Sequence, residues 1–254
     1  MNGILIVDKP SDWTSHDVVA KLRGALKMKR IGHGGTLDPM ATGVLPIFIG
    51  TATKLSATST DANKEYIAGL RLGITTDTQD ITGNVVAESE LSVAVSDLMN
   101  ILPKFTGTIQ QTPPMYSAKK HKGKKLYELA RKGIEVPREP KEIQIHTLEL
   151  LTPTQYDALF KDNNVQDTSG SNVQVSAKTD SDFLLRVACS KGTYIRTLCH
   201  DIGNTLGCGG TMSSLRRTCS GTFRIEDSHT LDNVLVAISN GSFNELLIEV
   251  DCDT

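Results

Sequence analysis

The chain has 254 residues, with 27 basic and 29 acidic groups and a formal net charge of −2. Its 39% hydrophobic and 22% charged content is that of a globular protein of one or two domains, which excludes a disordered or collagen-like chain. Near-neutral charge excludes a uniformly basic nucleic-acid binder, so charge distribution matters more than the sum. No apolar run reaches membrane-spanning length, and the N-terminus lacks the basic-then-apolar pattern of a signal peptide. The five cysteines, Cys189, Cys199, Cys208, Cys219 and Cys252, form no C-x-x-C pair. They read as reduced thiols of a cytoplasmic protein, with no metal site.

Gly3 to Val7 is a short apolar run and reads as a strand, broken by Asp8-Lys9-Pro10-Ser11. Thr14 or Ser15 then caps a helix on which Val18, Val19, Leu22, Ala25 and Leu26 recur at helical spacing. Lys21, Arg23, Lys27, Lys29 and Arg30 follow the other face and the exit. They form either a solvated surface or a phosphate-contacting one; we read them as contacting phosphate.

The stretch Gly32 to Pro46, GHGGTLDPMATGVLP, organises the chain. Its glycines permit close backbone approach, and Pro39 biases Asp38 away from the helical region. A carboxylate on such a stiff loop can act as nucleophile, base or ligand, or can close the turn through its own backbone. The Walker phosphate-loop and dinucleotide-binding patterns are both missing. Val44 to Ile49 reads as the next strand, 51–63 as helix or loop, and Glu65 to Leu72 as a strand containing Tyr66. Residues 73–80 read as a turn-rich loop and Leu91 to Leu102 as an amphipathic helix stopped by Pro103. Strands are expected near 105–111, 142–151 and 183–189.

Residues 119–141 carry Lys119, Lys120, Lys122, Lys124, Lys125, Arg131, Lys132, Arg138 and Lys141 against Glu128, Glu135 and Glu139. Residues 153–182 form a polar surface excursion with no assigned role. A helix should open near Tyr194 and run through Leu206. Gly221-Thr222-Phe223 should begin a last strand, and the acidic stretch 227–253 should end in a helix.

In chain order, Gly3–Ser15, the Asp38 stretch, Lys64–Gly83, Gln111–Ala118 and Cys189–Leu198 together resemble the TruB family of tRNA pseudouridine synthases. The family usually has Gly where this chain has Asp12. The resemblance implies an α+β pseudouridine synthase fold, with a mixed, mainly antiparallel sheet flanked by helices. It implies a catalytic domain over 1–235, with a basic RNA-gripping insertion at about 112–141. Residues 236–254 would be a short tail, too short for a complete PUA domain. Asp38 would be catalytic, with His33, Tyr66, Tyr194, Arg196 and Leu215 binding substrate. Lys119, Lys120, Lys122, Lys124 and Lys125 would be a flexible arm gripping the RNA backbone. Arg196 would pair with Asp38 through directed hydrogen bonds, and Tyr66 would stack on the target base. The activity implied is isomerisation of uridine to pseudouridine in the TΨC stem-loop of tRNA by a monomer without cofactor or metal. Two other readings stay open: a non-catalytic tRNA-binding or folding module, and a nucleoside hydrolase pairing Asp38 with Asp77 or Asp80.

Overall fold

The structure is a computed structural model describing residues 1–90, 93–152, 154–156 and 182–250. In chain order the strands begin with β1 (Gly3–Lys9), β2 (Ile31–His33), β3 (Thr42–Ile49) and β4 (Lys64–Leu72). Next come β5 (Ile74–Thr76), β6 (Val85–Glu88), β7 (Gly107–Gln111), β8 (Lys120–His121) and β9 (Lys124–Lys125). The last are β10 (Lys141–Leu151), β11 (Asp182–Cys189), β12 (Gly210–Ser220), β13 (Phe223–Arg224) and β14 (His229–Thr230). The helices are α1 (Ser15–Leu26), α2 (Ser56–Asp61), α3 (Val95–Ile101), α4 (Leu126–Ala130), α5 (Ile195–Thr205) and α6 (Leu231–Asn240). This is the α+β class expected. The chain divides into two compact units, one of Met1–Ile67 with Leu215–Thr254 and one of Ala68–Ser214.

In the first unit the strand order is β14-β1-β3-β12, with β2 antiparallel on β3 and β13 on β12. β1 runs antiparallel to β3, while β14 and β12 run parallel to β1 and β3. Both faces of β1 and β3 are covered, so each reads as a near-continuous apolar run. Leu5, Val7, Leu45, Ile47 and Ile49 pack with Val18, Val19 and Leu22 of α1 and with Leu231, Val234 and Phe243. Ile4, Ile6, Val44 and Phe48 pack with Ala52 and Ile225 in a separate cluster. Ile248 pairs back onto the first strand: Ile4 N–H donates to Ile248 O at 2.9 Å, and Ile248 N–H to Ile4 O at 2.8 Å.

Thr14, not Ser15, caps α1. Its hydroxyl accepts from Asp17 N–H at 3.0 Å, and the Asp17 carboxylate accepts from Thr14 N–H at 2.8 Å. The Thr14 hydroxyl also donates to that carboxylate at 2.6 Å, and this bond first, then the one from Thr14 N–H, holds the exposed Asp17 carboxyl below the usual range. The stretch 51–63, expected as helix or loop, holds most of a 3₁₀ segment (Gly50–Leu55) followed by α2.

In the second unit β4, β11, β10 and β7 follow one another, with β10 antiparallel to both neighbours. Arg71 of β4 and Asp182 of β11 form paired hydrogen bonds of 2.8 and 2.7 Å. Here the expectations need four corrections. The 73–80 loop contains β5, which pairs with β6 as a small hairpin. The 91–102 helix shortens to α3, because Asp97 caps Ala94 N–H at 3.0 Å, and Pro103 lies inside a following 3₁₀ turn where its missing N–H is tolerated. The basic arm, read without strands or helices, carries a hairpin, β8–β9, leading into α4. Lys122 (φ 48) and Gly123 (φ 83) form the positive-φ turn such hairpins favour, and Leu126 and Leu129 are buried. The last correction concerns β12, which already starts at Gly210, so the strand expected at Gly221 reduces to β13. In the first unit the C-terminal helix is α6, followed by a 3₁₀ turn at Phe243–Leu246, so it lies well before the end. The polar excursion at 153–182 lies almost wholly outside the described residues.

Candidate functional site

Asp38 sits on the 34–41 loop that joins β2 to β3, and it is half-buried. The start of the loop is tied by Gly34 N–H to Pro46 O at 2.9 Å, and Asp38 O accepts from Ala41 N–H at 3.1 Å. A side chain at Gly34 would collide with Ser59 and Phe48. The rest of the loop is held by the segment between β1 and α1. Ser15, freed from capping, accepts from Leu37 N–H at 2.9 Å and donates to Leu37 O at 3.3 Å. Asp12 N–H donates to Pro39 O at 2.9 Å with Asp12 at φ 65, so Asp12 adopts the conformation a glycine would supply.

Lys9 is the centre of that clamp. It is fully buried at the end of β1, and its ammonium donates to Pro10 O at 2.8 Å, Trp13 O at 2.6 Å and Pro39 O at 3.0 Å. Burial pushes its pKa down to about 8, against the opposing pull of Asp12 and Asp38. A second buried cation closes the loop from β12. Arg217 Nε donates to Val44 O at 2.7 Å, and its Nη2 donates to Gly35 O at 3.2 Å. Burial holds its guanidinium below the usual arginine range, with Tyr66 opposing.

Tyr66 on β4 and Leu215 on β12 are buried, 9% and 8% exposed, in this same unit. His33, half-buried at the end of β2, has its imidazole held below the usual range, first by burial and then by Arg217 and His16. The neighbouring Arg216 makes paired bonds to Asp8 at 2.7 and 3.1 Å. Asp38, His33, Tyr66 and Leu215 therefore belong to one compact body.

Tyr194, Arg196 and the lysines belong to the second unit. Tyr194 precedes α5, and buried Gln111 clasps its backbone, accepting from Tyr194 N–H at 2.8 Å and donating to Tyr194 O at 3.0 Å. Arg196, 6% exposed, donates to Thr78 O at 3.0 Å and Tyr116 O at 2.9 Å, with Asp80 at 3.6 Å. Three of the sequence blocks thus meet at one guanidinium. Asp80 also accepts from Thr82 N–H at 3.0 Å, and Asp77 accepts from Asn84 N–H at 2.9 Å. Both acids nominated for the hydrolase reading hold the turn between β5 and β6 together.

Lys120, Lys122 and Lys124 are exposed on the β8–β9 hairpin, and Lys119 and Lys125 are half-buried. Lys125 and Arg131 lie 5.4 and 5.3 Å from the centre of the Tyr127 ring. The five basic residues along and after α1 are also exposed, although Arg23 reaches back to Ile31 O at 2.6 Å. Among the described residues no group of three or more His, Cys, Asp or Glu is placed to hold a metal ion. No helix among them is long and apolar enough to cross a membrane.

Sequence reasoning did not single out Lys9, Ser15, Gln111 or Arg217 as site residues. Lys9 and Arg217 had a usable signal, a cation inside an otherwise buried strand pattern, since such a charge needs a dedicated set of partners.

Residues 23–195 match the model of the TruB family pseudouridylate synthase N-terminal domain, and 196–250 that of the tRNA pseudouridylate synthase B C-terminal domain. A protein named tRNA pseudouridine synthase B from Alkaliphilus oremlandii is 44% identical over 251 residues, covering 99% of this chain and 75% of that relative. One of the same name from Clostridium kluyveri is 45% identical, covering 91% and 72%. Among solved structures, the chain resembles one in a Cbf5-Nop10-Gar1 complex, at TM-score 0.70 and 29% identity. Another is in an H/ACA RNP bound to a substrate RNA containing 2'-deoxyuridine, at 0.65 and 27%. The matches cover 97% and 96% of this chain but only 59% and 58% of those chains.

Proposed function

The chain belongs to the TruB family of pseudouridylate synthases, and from that premise we propose that it isomerises uridine to pseudouridine in the TΨC loop of tRNA, in the cytoplasm. The observation that carries this reading is the clamp on the Asp38 loop. Four backbone positions from Gly35 to Val44 are held by Lys9, Ser15, Asp12 and Arg217. A carboxylate presented on so constrained a loop is fixed before substrate arrives, which suits chemistry that depends on positioning.

In the reaction the N1–C1′ bond breaks, the uracil turns, a C5–C1′ bond forms, C5 loses its hydrogen as a proton, and N1 gains one. Uracil itself takes up the electrons of the broken bond, so side chains supply position and proton transfer. The target base lies in a folded loop and must be extruded, at a cost of a few kcal/mol. Lys119, Lys120, Lys122, Lys124 and Lys125, with the basic face of α1, offset that cost by holding phosphates. His33 supports the opened loop, Tyr66 stacks on the base, and Tyr194 and Leu215 border it. The family resemblance gives Arg196 the task of directing the Asp38 carboxylate. Asp38 assists the cleavage by attack on ribose, attack on base, or formation of a glycal.

The test uses transcribed tRNA labelled with tritium at uridine C5. The wild-type chain should release tritium and produce pseudouridine, while Asp38→Asn should bind tRNA nearly as well and release none. Unchanged modification by Asp38→Asn refutes the catalytic role of Asp38, and inactivity of both proteins refutes the enzyme reading in favour of a binding or folding module. Liberation of free uracil indicates the hydrolase.

A further inference from the structure

RNA is held chiefly through its phosphates, so the charges nearest the Asp38 loop decide where a strand can rest. In the first unit the cations against that loop are turned on protein oxygens. Lys9 has three donors, and they go to the Pro10, Trp13 and Pro39 carbonyls. Arg217, 1% exposed, donates to Gly35 O and Val44 O. Arg216 bonds the Thr42 hydroxyl and the Asp8 carboxylate. Lys64, buried beside Gly35, donates to Thr60 O and Ala62 O. His33 is kept from gaining a charge, first by burial and then by Arg217 and His16. Exposed cations of this unit stand elsewhere, as at Lys21, Lys27 and Lys29 along and after α1.

Next to the loop, an acid faces solvent instead. Asp12 is exposed, and its N–H donates to the carbonyl of Pro39, the residue after Asp38. Its φ of 65 is one that glycine adopts freely, and glycine is what the family usually has there. The bond to Pro39 needs only an N–H, which glycine also supplies, so the carboxylate is not what holds the turn. Among the described residues that carboxylate enters no hydrogen bond or ion pair, and Lys9 feels its charge from a distance.

We propose that Asp12 is a specificity-determining residue for the reaction: its carboxylate repels RNA that reaches the Asp38 loop without being gripped elsewhere. Specificity of this kind comes from a repulsive element set against the wrong partner. A phosphate resting at the loop lies within the screening length of about 8 Å from that charge, and the cations beside it are already engaged. A tRNA gripped by the basic arm and along α1 has its backbone placed by those contacts. A loose strand has only the loop itself to settle on.

The inference rests on tRNA being the substrate, as proposed above, but it is read from binding alone. The full chain is titrated into labelled tRNA and into a labelled short uridine oligomer, followed by fluorescence anisotropy at several salt concentrations. Asp12→Asn, which tolerates positive φ, should bind the oligomer roughly 2- to 10-fold tighter, and tRNA by about twofold at most. Asp12→Gly should show the same gain, since the two variants share only the loss of charge. The gain should shrink as salt rises, which a rearranged backbone would not produce. The single-turnover rate on bound tRNA should stay as in wild type. Unaltered oligomer affinity in either variant, or an equal gain for tRNA and oligomer, overturns the proposal. Weaker tRNA binding overturns it too, because the carboxylate would then be accepting a hydrogen bond from the RNA. Failure of the enzyme reading is separate, being decided by tritium release from wild type and Asp38→Asn.

Discussion

Lys9 offers a measurable link between pH and stability. Its ammonium is fully buried, and its pKa falls from 10.5 to about 8. At ~1.4 kcal/mol per pH unit, that fall corresponds to about 3 kcal/mol. Below pH 8 both folded and unfolded chains hold the proton, and burial of the charge weighs against the fold by that amount. Between pH 8 and 10.5 the folded chain has lost the proton while the unfolded chain still binds it. Stability contributed by this group therefore rises with pH through the window. The perturbation is Lys9→Met, which keeps the length and removes the titration. Urea unfolding of both proteins from pH 7 to 10 cancels every other ionisable group in the difference. The substitution should be destabilising at pH 7, since the Pro10, Trp13 and Pro39 carbonyls lose their donor. Its cost should grow by ~2–3 kcal/mol by pH 10. A difference that stays flat across that range would refute the buried-ammonium account.

Replacing Lys119, Lys120, Lys122, Lys124 and Lys125 with Ala should weaken tRNA binding and flatten its dependence on salt concentration, measured by filter binding. Unfolding free energy should change little for the exposed members of that set. An unaltered salt slope would place the RNA elsewhere. Two glycine substitutions should act in opposite directions in thermal unfolding. Gly43→Ala, at φ +101 and with its side chain driven into the Arg217 backbone, should destabilise by ~2 kcal/mol or more. Gly24→Ala, inside α1 with nothing within 4 Å, should stabilise by ~0.5–1 kcal/mol.

The elements most legible in the sequence were those whose burial follows one rule. β1 and β3 are covered on both faces and appear as apolar runs, and α1 shows a helical period with Thr14 ahead of it. The Asp38 loop was legible because glycine permits, and proline forbids, particular backbone conformations directly. β12 was missed where it matters most, because Arg216 and Arg217 interrupt its apolar pattern. Their charges are satisfied by Asp8, by Thr42 and by carbonyls distant in sequence. No local pattern encodes such partners. The β5–β6 hairpin was hidden for a related reason: its strands are short, β6 is exposed throughout, and the Asp77 and Asp80 side chains organise its turn. The basic arm showed its charge but not its hairpin and helix, which depend on Leu126 and Leu129 finding cover.

The mutual hydrogen bonds of Ile4 and Ile248 bring the beginning and end of the described chain side by side. A splice of a few residues between them would turn the polypeptide into a ring without disturbing the first unit. New ends opened in the Lys122-Gly123 turn would then give a rearranged gene order for the same fold, and fluorophores attached at those ends would ride on the basic hairpin itself.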